Sequence, residues 1–447
     1  MRPLAACLVA LCACSSSAQG LARDAAADAA ADVAVDVVTA PDAPDRGTVR
    51  FAAATCFPAS FQVERVVLAD LDGDGLRDVI LEYRGGRAGA AAPSGYGYAR
   101  NASTAGAVRF DARVDQLSTD EVPLSEASAT RGVDLDGDGF AELTRNDRWW
   151  RNTLRAPGAL TDDTFAGVGT PFVSRAGVSA PDAQSLRVLD LDGDGALDLA
   201  SLQTTAACNL QVNPGVARGA IAYGMHLLTR VYVRGLTRCS SLAFADLDRD
   251  GRSDAVVTSD NADRGSGEQG FAAMRNEAVA GQLNEGSFAA PVRWTTAPSG
   301  MRRTTANARV ADFDGDGRPD VFYTVTQPGA GGTAGAIRPH TGSAGFSAAM
   351  FGDAIELEGA LGGDVSVVDL DGDARPDLAS VAPSGVTVRQ NLTPRGAPVR
   401  ARSFAARGVE LELGGRSPTL GDVDGDRRDD VVYARDGAFC VMRNTTP

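Results

Sequence analysis

The chain of 447 residues contains no lysine; all 43 of its basic residues are arginine, which we read as genomic composition rather than function. It has two histidines, His226 and His340, neither in a repeated context. Beyond residue 20 it has four cysteines, Cys56, Cys208, Cys239 and Cys440, without zinc-finger spacing. These shortages disfavour zinc, whose sites are built from Cys and His. No G-x-S-x-G elbow, P-loop or Rossmann glycine fingerprint is present, so catalysis has little to stand on and we read the chain as a non-enzyme. Aromatic residues make up 6%, few for a lectin. The formal net charge of -15 argues against a nucleic-acid partner.

What is present is an aspartate-rich nonapeptide, D-x-D-x-D-G-x-x-D, written seven times. Its carboxylates at positions one, three, five and nine are Asp70, Asp72, Asp74 and Asp78; Asp134, Asp136, Asp138 and Glu142; Asp190, Asp192, Asp194 and Asp198; and Asp246, Asp248, Asp250 and Asp254. The last three copies have Asp312, Asp314, Asp316 and Asp320; Asp369, Asp371, Asp373 and Asp377; and Asp422, Asp424, Asp426 and Asp430. They hold almost half of the 58 acidic residues, and seven divalent cations would cancel all but one of the excess negative charges.

Several hard oxygens turned toward one centre by a short glycine-containing loop suit Ca²⁺, which takes six to eight such ligands in irregular geometry. Mg²⁺ demands a near-ideal octahedron and keeps its waters, so it fits less well. Without a cation the four carboxylates of a loop repel one another, which couples binding to folding. An EF-hand is excluded, because position twelve of the first copy is Leu81 rather than Glu and the flanks are not helical. Ala374 and Arg427 replace the turn glycine in loops six and seven, so those two are expected to bind more weakly. Glu142 keeps its carboxylate with a longer reach.

Short β-prone runs flank every motif, such as Val66-Val67-Leu68 before the first and Val79-Ile80-Leu81-Glu82-Tyr83 after it. A third run commonly ends in Asn, at Asn152, Asn213, Asn276, Asn391 and Asn444, and a fourth is marked by Phe, at Phe110, Phe165, Phe288, Phe346 and Phe404. Four short antiparallel strands per fifty to sixty residues predict an all-β, seven-bladed β-propeller. After the seventh motif the Phe strand is missing, and Val49-Arg50-Phe51 supplies it from the other end of the chain. This closes the ring and pairs Cys56 with Cys440 as a clasp, leaving Cys208 with Cys239 within or beside blade three.

From about residue 47 to residue 447 these repeats resemble the FG-GAP/VCBS-type repeats of integrin α-subunit-like seven-bladed propellers. The resemblance implies Ca²⁺ held by the carboxylates at positions one, three, five and nine, with a backbone carbonyl at position seven. Of the tags that name the family, Phe351-Gly352 and Gly396-Ala397-Pro398 remain.

Residues 1–20 have the layout of a bacterial export signal, too short to span a bilayer. Two readings stand for the mature end: lipidation at Cys14 in a lipobox-like Leu11-Cys12-Ala13-Cys14, with Leu4-Ala5-Ala6-Cys7 the other fit, or secretion with cleavage near Ala18. Residues 21–46, rich in Ala and Asp, read as a flexible linker. The expectation is an exported monomer, either an outer-membrane or cell-surface lipoprotein or a secreted protein. It would act as a calcium-stabilised binding or adhesion scaffold for a protein or glycan, touching membrane only through the lipid. The alternatives are a lectin that uses Trp149 or Trp150, and a polysaccharide-active enzyme. Trp149 and Trp150 should point to opposite faces of their strand, and the Gly-rich stretches 85–97 and 328–335 read as surface hairpins.

Overall fold

The computed structural model describes residues 48–447 apart from 60, 85–94, 118–129, 146–147, 166–168, 173–184, 204–207, 217–220, 222–228, 233–238, 260–269, 296–303, 327–332, 344, 383–384 and 406–407. The leader, the linker, Cys14 and His226 lie outside the described residues, as does most of the two Gly-rich stretches.

Twenty-eight strands form seven four-stranded antiparallel sheets, the blades of a propeller. Blade 1 runs Gln62–Ala69, Asp78–Arg84, Gly95–Ala99 and Val114–Leu117, each strand beside the next. Blades 2 to 6 repeat this meander in chain order. First strands pack on one another between blades 7 and 1, 1 and 2, 4 and 5, and 5 and 6, and so line the axis, with the fourth strands outermost. Every acidic motif joins a first strand to a second, so all seven loops lie at one end of the ring. The second strand begins on the carboxylate at position nine: Asp78, Glu142, Asp198, Asp254, Asp320, Asp377 and Asp430.

Most second strands, that of blade 2 excepted, are largely apolar past their first carboxylate because both of their faces are covered. In Asp78–Arg84, Val79, Leu81 and Tyr83 pack toward blade 7, while Ile80 packs toward blade 2. The core is therefore seven separate clusters, one at each seam between blades. Trp149 and Trp150 do point to opposite faces, and both are spent on packing: Trp149 in the seam between blades 2 and 3, Trp150 in the seam between blades 1 and 2.

Closure uses residues slightly further along than the sequence suggests. Val49-Arg50-Phe51 is not the closing strand; Phe51 makes a single bridge to Asn444, and the fourth strand of blade 7 is Thr55–Pro58. Cys56 lies inside that strand rather than after it, directly opposite Cys440, and the two are disulfide-bonded with Cα atoms 4.0 Å apart. Cys208 and Cys239 form the other disulfide, which ties the third strand of blade 3 to the first strand of blade 4.

The Phe marker is displaced in the same way. Phe110, Phe288 and Phe404 stand before the fourth strands and bridge back to Asn101, Asn276 and Asn391. Their rings fill the seam with the preceding blade, and Phe165 does the same in blade 2. In blade 5 the residue at this register is Phe351, bridged to His340, and not Phe346, which only packs beside it.

Reduction, or replacement of Cys56 and Cys440 by Ser, should lower stability by about 2–4 kcal/mol, because the bond spans 384 residues and constrains almost the whole unfolded chain. Urea unfolding of the double variant beside the parent checks this; coincident curves would show that the clasp contributes nothing.

Candidate metal centres

Each loop winds around its first carboxylate. Asp70 accepts the amides of Gly73 (2.7 Å) and Gly75 (2.9 Å). Asp134, Asp190, Asp312, Asp369 and Asp422 make the same pair of bonds to positions four and six. Asp246 accepts the amides of Asp250 and Gly251. The fifth-position carboxylate takes the amide two residues on, as Asp74 does from Leu76 (2.9 Å).

This winding holds positions four and six in the left-handed region, at φ 71° for Gly73 and 85° for Gly75. Ala374 (φ 64°) and Arg427 (φ 68°) occupy it at position six, as the sequence implied. Position four is equally constrained, and there Arg249 (φ 64°) puts the same strain of about 1–2 kcal/mol into loop four. Sequence reasoning missed it by treating only position six as the turn.

The ninth carboxylate is built into the blade. Asp78 accepts the amide of Leu71 (2.8 Å) through one oxygen and the amide of Asn101 (2.6 Å) through the other. Asp254, Asp377, Asp430 and Glu142 repeat both bonds with the second loop residue and with Asn276, Asn391, Asn444 and Asn152. Burial raises these acids above the ordinary carboxylate range, assisted by the other loop carboxylates. Asp78, Glu142, Asp320 and Asp377 reach about 8, and Asp198, Asp254 and Asp430 about 7.

The Asn itself is a latch between blades. The Asn152 side-chain amide donates to Ala141 O of its own loop (3.0 Å) and to Leu71 O of the preceding blade's loop (2.7 Å), while its oxygen accepts the amide of Leu154 (3.0 Å). Asn276, Asn391 and Asn444 likewise reach Leu191, Phe313 and Leu370 of the preceding loops. Asn101 reaches Val423 and so latches blade 1 to blade 7 across the closure. In blade 5 His340 takes this place: its backbone amide bonds Asp320 (2.7 Å) and its Nδ1 accepts the amide of Gly342 (3.0 Å), while the backbone of Leu247 in the preceding loop acts on its ring. Blade 3 departs from the pattern. Asn213 lies two residues early, and Gly215 stands at the latch position, its amide bonding Asp198 (2.7 Å) with no side chain to cross the seam.

Three carboxylate oxygens in each of loops 1 to 5 lie within 4.8 Å of one another: Asp70, Asp72 and Asp78; Asp134, Asp136 and Glu142; Asp190, Asp192 and Asp194; Asp246, Asp248 and Asp250; and Asp312, Asp314 and Asp316. Two further groups of this kind occur. Asp72 Oδ1, Asp136 Oδ1 and Asp248 Oδ1 are buried and accept no hydrogen bond. Buried carboxylate oxygens without donors, converging with others of their kind, fit a hard divalent cation such as Ca²⁺. The loops are not left without counter-charge, as the sequence reading assumed. Arginines from the third strand or from the loop pair with them, Arg151 with Asp136 (2.7 Å) and Arg318 with Asp316 (2.8 Å) among them. The signal was visible as an Arg before the latch Asn, at 100, 151, 275 and 443.

Two outcomes follow from this geometry. Asn152→Ala strands the carbonyls of Leu71 and Ala141 and should cost about 1–3 kcal/mol by urea unfolding, whereas His340→Asn should be close to neutral. An acid whose folded-state pKa is raised binds more protons folded than unfolded, so its contribution is full below the ordinary carboxylate range and is lost as pH rises through its folded value. In chelator, the melting temperature should therefore fall between about pH 5 and about pH 8. Saturating calcium, which requires the ionised loops, should flatten or reverse that slope; a melting temperature that climbs with pH in chelator contradicts the account.

Residues 369–433 match the FG-GAP-like repeat model. No curated protein matches the chain by sequence. An Agrocybe aegerita lectin that recognises non-reducing terminal N-acetylglucosamine superposes with a TM-score of 0.50 at 17% identity, over 86% of this chain and 94% of the lectin. The Vibrio cholerae biofilm matrix protein Bap1 gives 0.36 at 11% identity, over 86% and 77%. The Photorhabdus luminescens Tc holotoxin pore gives 0.38 at 16% identity over 90% of this chain, which spans only 15% of that protein's length. At such identities the likeness is one of fold. The chain is thus a seven-bladed β-propeller, in which the stretch from loop 6 into the second strand of blade 7 matches the FG-GAP-like repeat model.

Proposed function

We propose that this propeller is an exported, calcium-stabilised scaffold that binds a protein or glycan at a cell surface or outside the cell and carries out no reaction of its own. The observation that carries the reading is the set of buried, donor-less oxygens Asp72 Oδ1, Asp136 Oδ1 and Asp248 Oδ1 at the centres of carboxylate-lined loops. The carboxylates at positions one, three, five and nine of each loop would hold the ion. Bound there, Ca²⁺ would supply charge neutralisation and cross-linking of a loop to its own second strand. Stability, rather than substrate activation, is its part.

The seven loops take up one end of the ring and are committed to holding the blades together, so a partner is better sought on the opposite end or along the outer strands. A glycan partner is supported by the fold shared with the lectin. Trp149 and Trp150 are not its platform, because both are packed between blades. Export, with a lipid at Cys14 or a cleaved leader, follows from the sequence of residues 1–20.

Native mass spectrometry should find the purified chain carrying up to seven calcium ions that EDTA removes, and the melting temperature should rise by about 10 °C or more between EDTA and millimolar calcium. Identical melting in both, from protein that carried no metal, would overturn the reading.

A further inference from the structure

Counter-charge is distributed unevenly over the loops. In blades 1, 2, 4 and 7 the residue before the latch is arginine, and it turns back onto its own loop. Arg100 pairs with Asp72 and with Asp74 (2.6 Å), Arg151 with Asp136 (2.7 Å), Arg275 with Asp248 (2.7 Å) and Asp250 (3.0 Å), and Arg443 with Asp424 (3.1 Å). In loops 1, 2 and 4 the guanidinium takes Oδ2 of the third-position carboxylate, and Oδ1 of the same group is the buried oxygen without a donor. Blade 6 has Gln390 in this place, its amide donating to Asp371 (2.9 Å). Blades 3 and 5 have Pro214 and Pro339. Loop 5 has Arg318 at position seven, paired with Asp316. Loop 3 has Ala196 there, and among the described residues no arginine acts on Asp192.

A guanidinium held at the end of its strand on one or two of the carboxylates that would ligate a cation does part of that cation's work and opposes its arrival. We propose that Arg100, Arg151, Arg275 and Arg443 are tethered counter-ions: they preserve the shape of loops 1, 2, 4 and 7 without metal and weaken calcium binding there. Loop 3, with no arginine on it among the described residues and no side-chain latch, fills first and depends most on its ion. This rests on the reading of the loops as calcium sites. Gln390 shows that an uncharged amide is accommodated at the same register, so Arg100→Gln and Arg151→Gln are the variants of choice.

Calcium titration of the whole chain by calorimetry, with stoichiometry from native mass spectrometry, tests the proposal. Each variant should bind one calcium about tenfold more tightly than the parent does at that loop, and should melt at a lower temperature in EDTA. Asp192→Asn should remove the tightest step. Unchanged or weaker binding in both arginine variants would overturn the proposal and make the arginines supports for the ligands, leaving the calcium reading intact. A tightest step that survives Asp192→Asn would overturn the priority of loop 3. A parent that binds no calcium would overturn both this and the function proposed above.

Discussion

Each blade begins its second strand on a buried carboxylate whose two oxygens are both engaged by backbone amides, one from the loop before it and one from the end of the third strand. Three successive segments of the blade are thereby held on one group that cannot turn to water. The group is costly to ionise where it sits, which is why burial pushes it to about 7 or 8. A cation at the other carboxylates of the loop would remove that penalty. The carboxylates of the acidic motif therefore have unequal duties: positions one, three and five line the loop, and position nine, which in loops 1 and 2 converges with positions one and three, also fastens the loop to the sheet.

The Asn latch carries this fastening from one blade to the next. Its side chain donates both to its own loop and to the preceding one, and its oxygen accepts an amide two residues on. A buried polar group with every bond made specifies a single register at each seam, whereas the apolar clusters alone would tolerate sliding. His340 shows that the backbone bond to the ninth carboxylate and the acceptor toward the local amide do not require Asn as such. Blade 3 shows the converse, for with Gly215 it has no side chain to cross toward blade 2, and it is instead joined to blade 4 by Cys208–Cys239.

Seams, not blades, are the units of hydrophobic burial. Every second strand except that of blade 2 contributes alternate residues to two clusters, so a single substitution such as Ile80→Ala would be felt at one seam while its neighbours Val79 and Leu81 serve the other. The aromatic residues follow the same rule: Phe271 stacks on Trp294 and meets Tyr323 of the next blade edge-on to tilted, and Phe57, Phe110 and Phe439 form one group across the closure.

The amino-acid sequence by itself determined the number of blades, the strand-loop-strand setting of each motif, the sharing of the last blade between the two ends of the chain, and both disulfide partners. These follow from a repeat whose period, turn residues and apolar runs are local properties. It located the carboxylates that line the loops for the same reason. What it could not determine is which residue lies opposite which: that the closing strand is Thr55–Pro58 rather than the run ending at Phe51, that Phe351 and not Phe346 meets His340, and that Gly215 and not Asn213 stands at the latch. A register error of a few residues leaves composition and spacing unchanged, and only cross-strand pairing resolves it. The arginines that neutralise the loops belong to the same class. Their charge is plain in the sequence, but the antiparallel return of the third strand is what brings Arg100 onto Asp72 and Asp74.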